Sequence, residues 1–458
     1  MEKKSDAKSL TFALQWNTIF AEHATCSREE SPRPMPLPTI GLRLLVLAAL
    51  LVPGLSACSS ASSEAPSSCD DLTRSAGLCP GTSQQSVSQA MCTTTVAVAD
   101  PAILGAAVSL AKPGTCLLLG AGSFPVIDLP AGVHVVGKGE SSTTVAGITV
   151  RGGGSVIGAL AASGPIQGSG SGALRIDQVR SSNVSGPGIN VEDLDLTMVD
   201  SSVSRASALG LAVGCSTRCK ADRPKVDLQR SLFEGNAVVG VWLHGVDAKM
   251  EYVEIRNTKA KDFLQGRGLD VSAEASLVAK HFSVSGSAEA GMLASASAIT
   301  LEDFSLLRNQ SFGLQLSAMK SGSMTNFVVR ENGGVGLLVD GSQGIIVQGG
   351  QILDTKKLTV PTEAGGLAEV GDGMNWRGNS NVSVKGTRFA NSGRQAIIVQ
   401  GKNTGDFDAK LEGSDATTGI IVQGLDAGTD SGIIVQGFTP KVASKGSELQ
   451  LAKPLTTK

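Results

Sequence analysis

Apolar and polar residues alternate along this chain in short runs, and each run is led by a glycine at a nearly fixed interval. The phrase glycine–apolar–any–apolar begins at Gly188, Gly210, Gly240, Gly268, Gly291, Gly313, Gly336 and Gly373. It returns with alanine in the lead at Ala396 and again with glycine at Gly419. The steps are 22, 30, 28, 23, 22, 23, 37, 23 and 23 residues, a basic period of 22–23 with three insertions. Period-2 alternation predicts a strand for each phrase, and self-similarity at this interval predicts one unit stacked about ten times. Each repeat holds two or three such runs separated by Asn, Gly and Ser turns, so the unit is a coil. Stacked coils pair equivalent strands in parallel about 4.8 Å apart. Leu232, Phe282, Phe304, Phe327 and Phe407 recur near one phase and are expected to pile into an internal stack.

Asparagine also keeps phase. Asn236, Asn309 and Asn332 stand four residues before their glycine, and Asn183 and Asn391 five before the lead residue. Asparagine tolerates the left-handed backbone and can bond a neighbouring turn, so a column of turns is expected. Upstream, Asp100 and Pro101 open an apolar helical segment as N-cap and first helical residue. A strand-rich stretch from Pro113-Gly114 to Lys138-Gly139 follows it. This order of capping helix, Pro-Gly strand and Gly-x-Gly ending, with the asparagine column, resembles right-handed parallel β-helices of the pectin-lyase-like superfamily. The resemblance spans residues 92–437. It implies an all-β right-handed parallel β-helix of ten or more coils with an N-terminal capping helix. The cap matters because an open end would expose strand edges. A leucine-rich horseshoe needs a helix in every repeat, and a propeller needs repeats near 40–45 residues; neither fits.

Ahead of the repeats, Arg43, the apolar run Leu44–Val52 and Leu55-Ser56-Ala57-Cys58 describe an export signal. The last four residues resemble the lipobox of bacterial lipoproteins, in which the cysteine is lipidated and becomes the mature N-terminus. The apolar run is broken by Pro53 and Gly54 and is shorter than a membrane span of about 20 residues. Met35 begins a conventional signal over 35–57, which makes 1–34 an extension outside the mature protein. Residues 58–91 form a Ser/Ala-rich tether and a cysteine-containing segment, and 438–458 a C-terminal tail. The expected location is the bacterial cell envelope, with the protein lipid-anchored at the outer membrane or cell surface.

Cys69, Cys79, Cys92, Cys116, Cys215 and Cys219 make an even set, which favours disulfides in an exported chain. Proximity suggests 69–79, 92–116 and 215–219, although six cysteines allow 15 pairings. A net charge of −2 lacks the basic face that nucleic acid requires.

The resemblance brings polysaccharide enzymes into view, yet their Asn-Thr-Asp, Gly-His-Gly and Arg-Ile-Lys strings are absent. Glu192, Asp193 and Asp195 read as a solvated face. No catalytic residue or metal ligand is assigned. Along each phrase, positions one and three after glycine point inward, and two and four outward. Trp242 and His244 are therefore expected at the surface beside Asp270, and Asp340 one coil from Arg377. Ile398 and Ile421 would form an apolar strip covered by the tail from Ser431 or by a partner. Two insertions, about Lys259–Arg267 and Thr355–Asp372, enter at one turn four coils apart, about 19 Å. They would wall a groove floored by Asp270, Ser272, Ser295, Gln315, Ser317 and Asp340. A polar, weakly acidic floor suits hydroxyl-rich ligands, with calcium as the one cofactor it would admit. The expectation is a monomeric binding or structural module with a polysaccharide or envelope partner; the alternative is a lyase or epimerase on the same fold. Two or more exposed carboxylates with Arg, Lys or His on adjacent coils would favour the enzyme.

Overall fold

The computed structural model describes residues 92–216, 222–261, 265–361, 367–379, 381–400, 403, 405–412, 420–423, 433–435 and 441–442. Cys58, Cys69, Cys79 and Cys219, the signal segment and the end of the tail lie outside the described residues. The described chain is a right-handed parallel β-helix. Each coil gives one strand to a 14-stranded sheet and, in most coils, two arms to a 21-stranded sheet. These are called here the one-arm and the two-arm sheet. Fourteen coils exceed the ten counted from the phrase. The first coils use Ile127–Pro130, Ile148–Arg151 and Ile166–Ser169, and of these only Gly147 supplies a leading glycine. At the far end Lys441–Val442 pairs with Ile421–Val422, so the coil continues past residue 437.

Inward positions of both sheets make one continuous core. Val241, Leu243, Leu269 and Val271 are fully buried, as positions one and three require. Phe282, Phe304 and Phe327 stack with centroids 5.2 Å apart. Leu232 and Phe407 do not join them. Leu232 pairs in register with Glu254 and then Ser283, on the outer face, while Phe233 turns inward. Phe407 follows Val384 in the first arm, where it packs against Trp376 and Phe389. One residue of register reverses the face of a strand side chain, which sets Leu232 apart, whereas Phe407 also faces inward and is set apart by its arm.

The asparagine column divides into two roles. Asn236, Asn309 and Asn332 are 1% exposed and hydrogen-bond the neighbouring coil. The Asn236 side chain accepts from Ala206 N at 2.9 Å and donates to Val203 O at 3.1 Å. Asn183 and Asn391 lie one position earlier, at φ 56° and 53°, in a left-handed column shared with Arg205, Arg308 and Glu331. Tolerance of left-handed backbone belongs to that column, and bonding between coils to the next. A second ladder, unread in the sequence, links Met319, Ser342, Asn379 and Asn403 across the opposite turn.

At the N-terminal end, Pro101–Ile103 form a 3-10 turn and α1 spans Leu104–Leu110. Asp100 accepts from Ala102 N at 2.8 Å, the expected cap. Cys92 and Cys116 form a disulfide that ties the entering strand Thr94–Val98 to the first coil. Closing a loop of this size is worth about 3 kcal/mol. Cys215 is also disulfide-bonded.

Candidate functional site

Strand register carries the outward residues of the one-arm sheet into straight rows. Trp242 pairs with Asp270 and His244 with Ser272. Farther along, Ser295, Ser317, Asp340 and Arg377 succeed one another in register. Both insertions enter at the same turn, each opening on an isolated bridge to the preceding coil, Ala237 with Lys259 and Gly333 with Lys356. The second insertion forms an antiparallel hairpin, Leu358–Pro361 with Leu367–Val370. Its exit is pinned by Asp372, fully buried and held by Arg394 through both carboxylate oxygens.

The floor is narrower than the sequence implied. Asp270 is 5% exposed because Arg267, at the end of the first insertion, folds over it. The Arg267 guanidinium lies 2.8 Å from Asp270 and 3.2 Å from Glu289, so Asp270 is a paired anchor and not part of an open floor. Leu293, Leu338, Asn375 and Ile398, at the same position of later coils, are buried too. What remains half-exposed is the position-four row of His244, Ser272, Ser295, Ser317, Asp340 and Arg377, flanked by Gln315 and Trp242. Its groups already point at one another. His244 Nδ1 lies 3.2 Å from Ser272 Oγ, and Gln315 Nε2 donates to Ser317 Oγ at 3.3 Å. Arg377 grips Asp340 with two hydrogen bonds of 2.9 and 2.7 Å. The Trp242 and His244 rings lie 4.9 Å apart, tilted by 32°. Burial holds the His244 imidazole below its ordinary pKa against the opposing pull of Asp270, so the ring is neutral at neutral pH.

Asp193 departs from the solvated face expected of it. It is 8% exposed, and its carboxylate accepts from Ser216 N and Oγ at 2.9 and 2.7 Å, tying adjacent coils. Asp195 likewise accepts from Lys225 N at 3.0 Å.

A second cluster, missed in the sequence, lies where the two arms meet. There each coil places one residue in the left-handed region, among them Tyr252, His281, Asp303 and Asn326, at φ 55°, 50°, 52° and 51°. Tyr252 and His281 stack at 5.0 Å and 12°. His281 Nδ1 stands 3.6 Å from Asp303 Oδ2, and Asn326 Nδ2 donates to Asp303. Beside them Glu251, Lys280 and Glu302 run in register, with Lys280 and Glu302 ion-paired. Spacings of 29, 22 and 23 residues between column members follow the repeat and were a readable signal. They fall outside the glycine phrase, which leads strands of the one-arm sheet. Among the described residues no group of three or more His, Cys, Asp or Glu comes together to hold a metal ion. Nor is any described helix long and apolar enough to cross a membrane.

No protein-family model matches the chain, and no curated protein matches it. Solved structures of similar course include the A-module of a mannuronan C-5 epimerase from Azotobacter vinelandii. That match has 15% identity and TM-score 0.43, covering 76% of this chain and 96% of that one. A periplasmic alginate epimerase matches at 10% identity and TM-score 0.48, covering 70% and 84%. The catalytic unit of an α-1,3-glucanase from Streptomyces thermodiastaticus strain HF3-3 matches at 12% and 0.38, covering 83% and 72%. At these identities the likeness concerns the fold, and function must be argued from the residues.

Proposed function

We propose that this protein binds a hydroxyl-rich polymer, a polysaccharide, along the outer face of the one-arm sheet. One observation carries the reading: His244, Ser272, Ser295, Ser317, Asp340 and Arg377 form a half-exposed row, one hydrogen-bonding side chain per coil. The row advances about 4.8 Å per coil, close to the length of one pyranose, so successive sugars would each meet one hydrogen-bonding side chain. Trp242 adds a flat apolar surface beside it, the kind on which a sugar ring stacks. The test is a glycan array probed with the full chain, its Trp242→Ala form and its Ser317→Arg form. Binding that both variants keep at wild-type strength, while circular dichroism shows them folded, removes the row as the site.

A lipid on Cys58 would hold the binding module at the cell envelope. The sequence Leu55-Ser56-Ala57-Cys58 supports this reading, and disulfide formation at Cys92–Cys116 agrees with export to an oxidising compartment. Cys58→Ala should abolish acyl-label incorporation and release the protein from the detergent phase; unchanged labelling removes the anchor.

A second reading, a lyase or epimerase, is favoured by the arm junction. Glu251, Glu302 and Asp303 stand with Lys280, His281 and Tyr252 on adjacent coils, the combination that acid–base chemistry uses. Both reactions begin by removing a carbon-bound proton, a task for an imidazole or phenolate. Turnover of a uronate polymer that His281→Gln and Tyr252→Phe both abolish would establish it. Absence of turnover on a uronate panel, or turnover indifferent to both changes, leaves the binding reading alone.

A further inference from the structure

The capping segment is uncharged, with Ser109 its one polar side chain. Pro101–Ala111 contains no charged residue between Asp100 and Lys112. Its inner side packs on the helix end through Leu104, Ala107, Val108 and Ala111. Its outer side leaves Ile103 47% and Leu110 80% exposed, and Val126, just ahead of the strand on which α1 packs, is 62% exposed. These are three of the six large apolar side chains exposed in the described chain; the others, Val278, Ile346 and Leu367, stand on later coils and the hairpin. A helix with apolar side chains on both its inner and outer sides is ordinarily covered. Here it caps the end at which the chain enters the fold.

We propose that this cap face rests on a lipid surface. The inference builds on the anchor proposed for Cys58. From Cys58 to Met91 the chain has 34 residues; a Gly/Ser-type linker of that length spans about 30 Å on average. The fourteen coils extend about 60 Å along their axis, and the chain enters them at the cap end, so an anchor at Cys58 would lie closer along the chain to the cap than to the far end. Ile103, Leu110 and Val126 would then enter the headgroup–acyl boundary, and the segment between Asp100 and Lys112 brings no ion that must be desolvated there. An acyl attachment reinforced by a second membrane contact holds more firmly than either alone.

The experiment measures co-flotation with phosphatidylethanolamine–phosphatidylglycerol vesicles, using the full chain in wild-type and Cys58→Ser forms. Each is compared with its Ile103→Asp/Leu110→Asp counterpart, and acyl labelling is followed separately so that failure of the anchor is seen by itself. In the Cys58→Ser background the paired aspartates should lower vesicle partitioning about tenfold or more, since each removes the burial of one large side chain. Amide exchange over 101–111 should slow when vesicles are added. Equal partitioning with and without the aspartates overturns the proposal. So does a concentration-dependent dimer that the aspartates dissolve, or exchange over 101–111 that is slow without vesicles and unchanged by them. An unchanged melting temperature in the variants shows that the cap still folds.

Discussion

Asn309 and Asn332 sit one coil apart, and a single oxygen of Asn332 serves both donors of its neighbour. Its Oδ1 accepts the backbone N–H and the side-chain Nδ2 of Asn309, each at 2.9 Å, while Asn332 Nδ2 donates to Leu306 O at 2.9 Å. Buried polar groups of a turn stacked on another turn have no water to fall back on, so the ladder supplies what solvent cannot.

Replacing Asn332 by Ala should therefore cost about 3 kcal/mol, the penalty for leaving buried donors and a carbonyl without partners. Asn391→Gly, at the left-handed position of the same turn, should cost less than about 1 kcal/mol, because glycine adopts that backbone freely. Urea denaturation of the two variants reads the difference; equal losses would mean that the two columns do not divide the roles as described.

Phe304 lies between Phe282 and Phe327, stacked on both. Phe304→Ala should lose about 3–5 kcal/mol through burial and the cavity left behind. Phe304→Asp should not fold, since it buries an unpaired charge. A Phe304→Ala protein with an unshifted urea midpoint would contradict the stacked core.

Arg394 and Arg151 each grip a carboxylate, but in opposite surroundings. Asp372 is fully buried beneath Arg394, whereas Arg151 and Asp128 are largely in water. Arg394→Ala should destabilise by about 3–5 kcal/mol by stranding a buried carboxylate. It should also loosen the hairpin at 358–370, visible as faster amide exchange there. Arg151→Ala should leave the denaturation midpoint where it is.

Acid should weaken the fold as pH falls through the range in which histidine titrates. Burial holds both His134 and His244 below the ordinary value of 6.5. Below that pH the unfolded chain binds protons that the native rings resist. Stability present above pH 6.5 is thus lost as pH falls through it towards the depressed native values. The urea midpoint should fall between pH 7.5 and 5.5, and by less in a His134→Gln/His244→Gln protein. An identical pH dependence in that double variant would assign the effect to other groups.

The glycine phrase determined the coil, its parallel stacking and the inward placement of Val241, Leu243, Leu269 and Val271, because a period of two fixes which face a strand residue takes. Repetition at a constant step fixes which residues become neighbours on adjacent coils. Asp340 and Arg377 were legible as a pair for that reason, and Tyr252, His281 and Asp303 could have been. The burial of Asp270 was not legible, because its cover is Arg267, placed there by an insertion whose path the sequence does not specify. The sheet to which a strand belongs was not legible either. Ile-Ile-Val-Gln stands in the two-arm sheet at Ile345–Gln348 and in the one-arm sheet at Ile397–Gln400 and Ile420–Gln423. The same alternation serves either wall. Only the preceding turns, and the coil already in place beneath, decide which wall each strand extends.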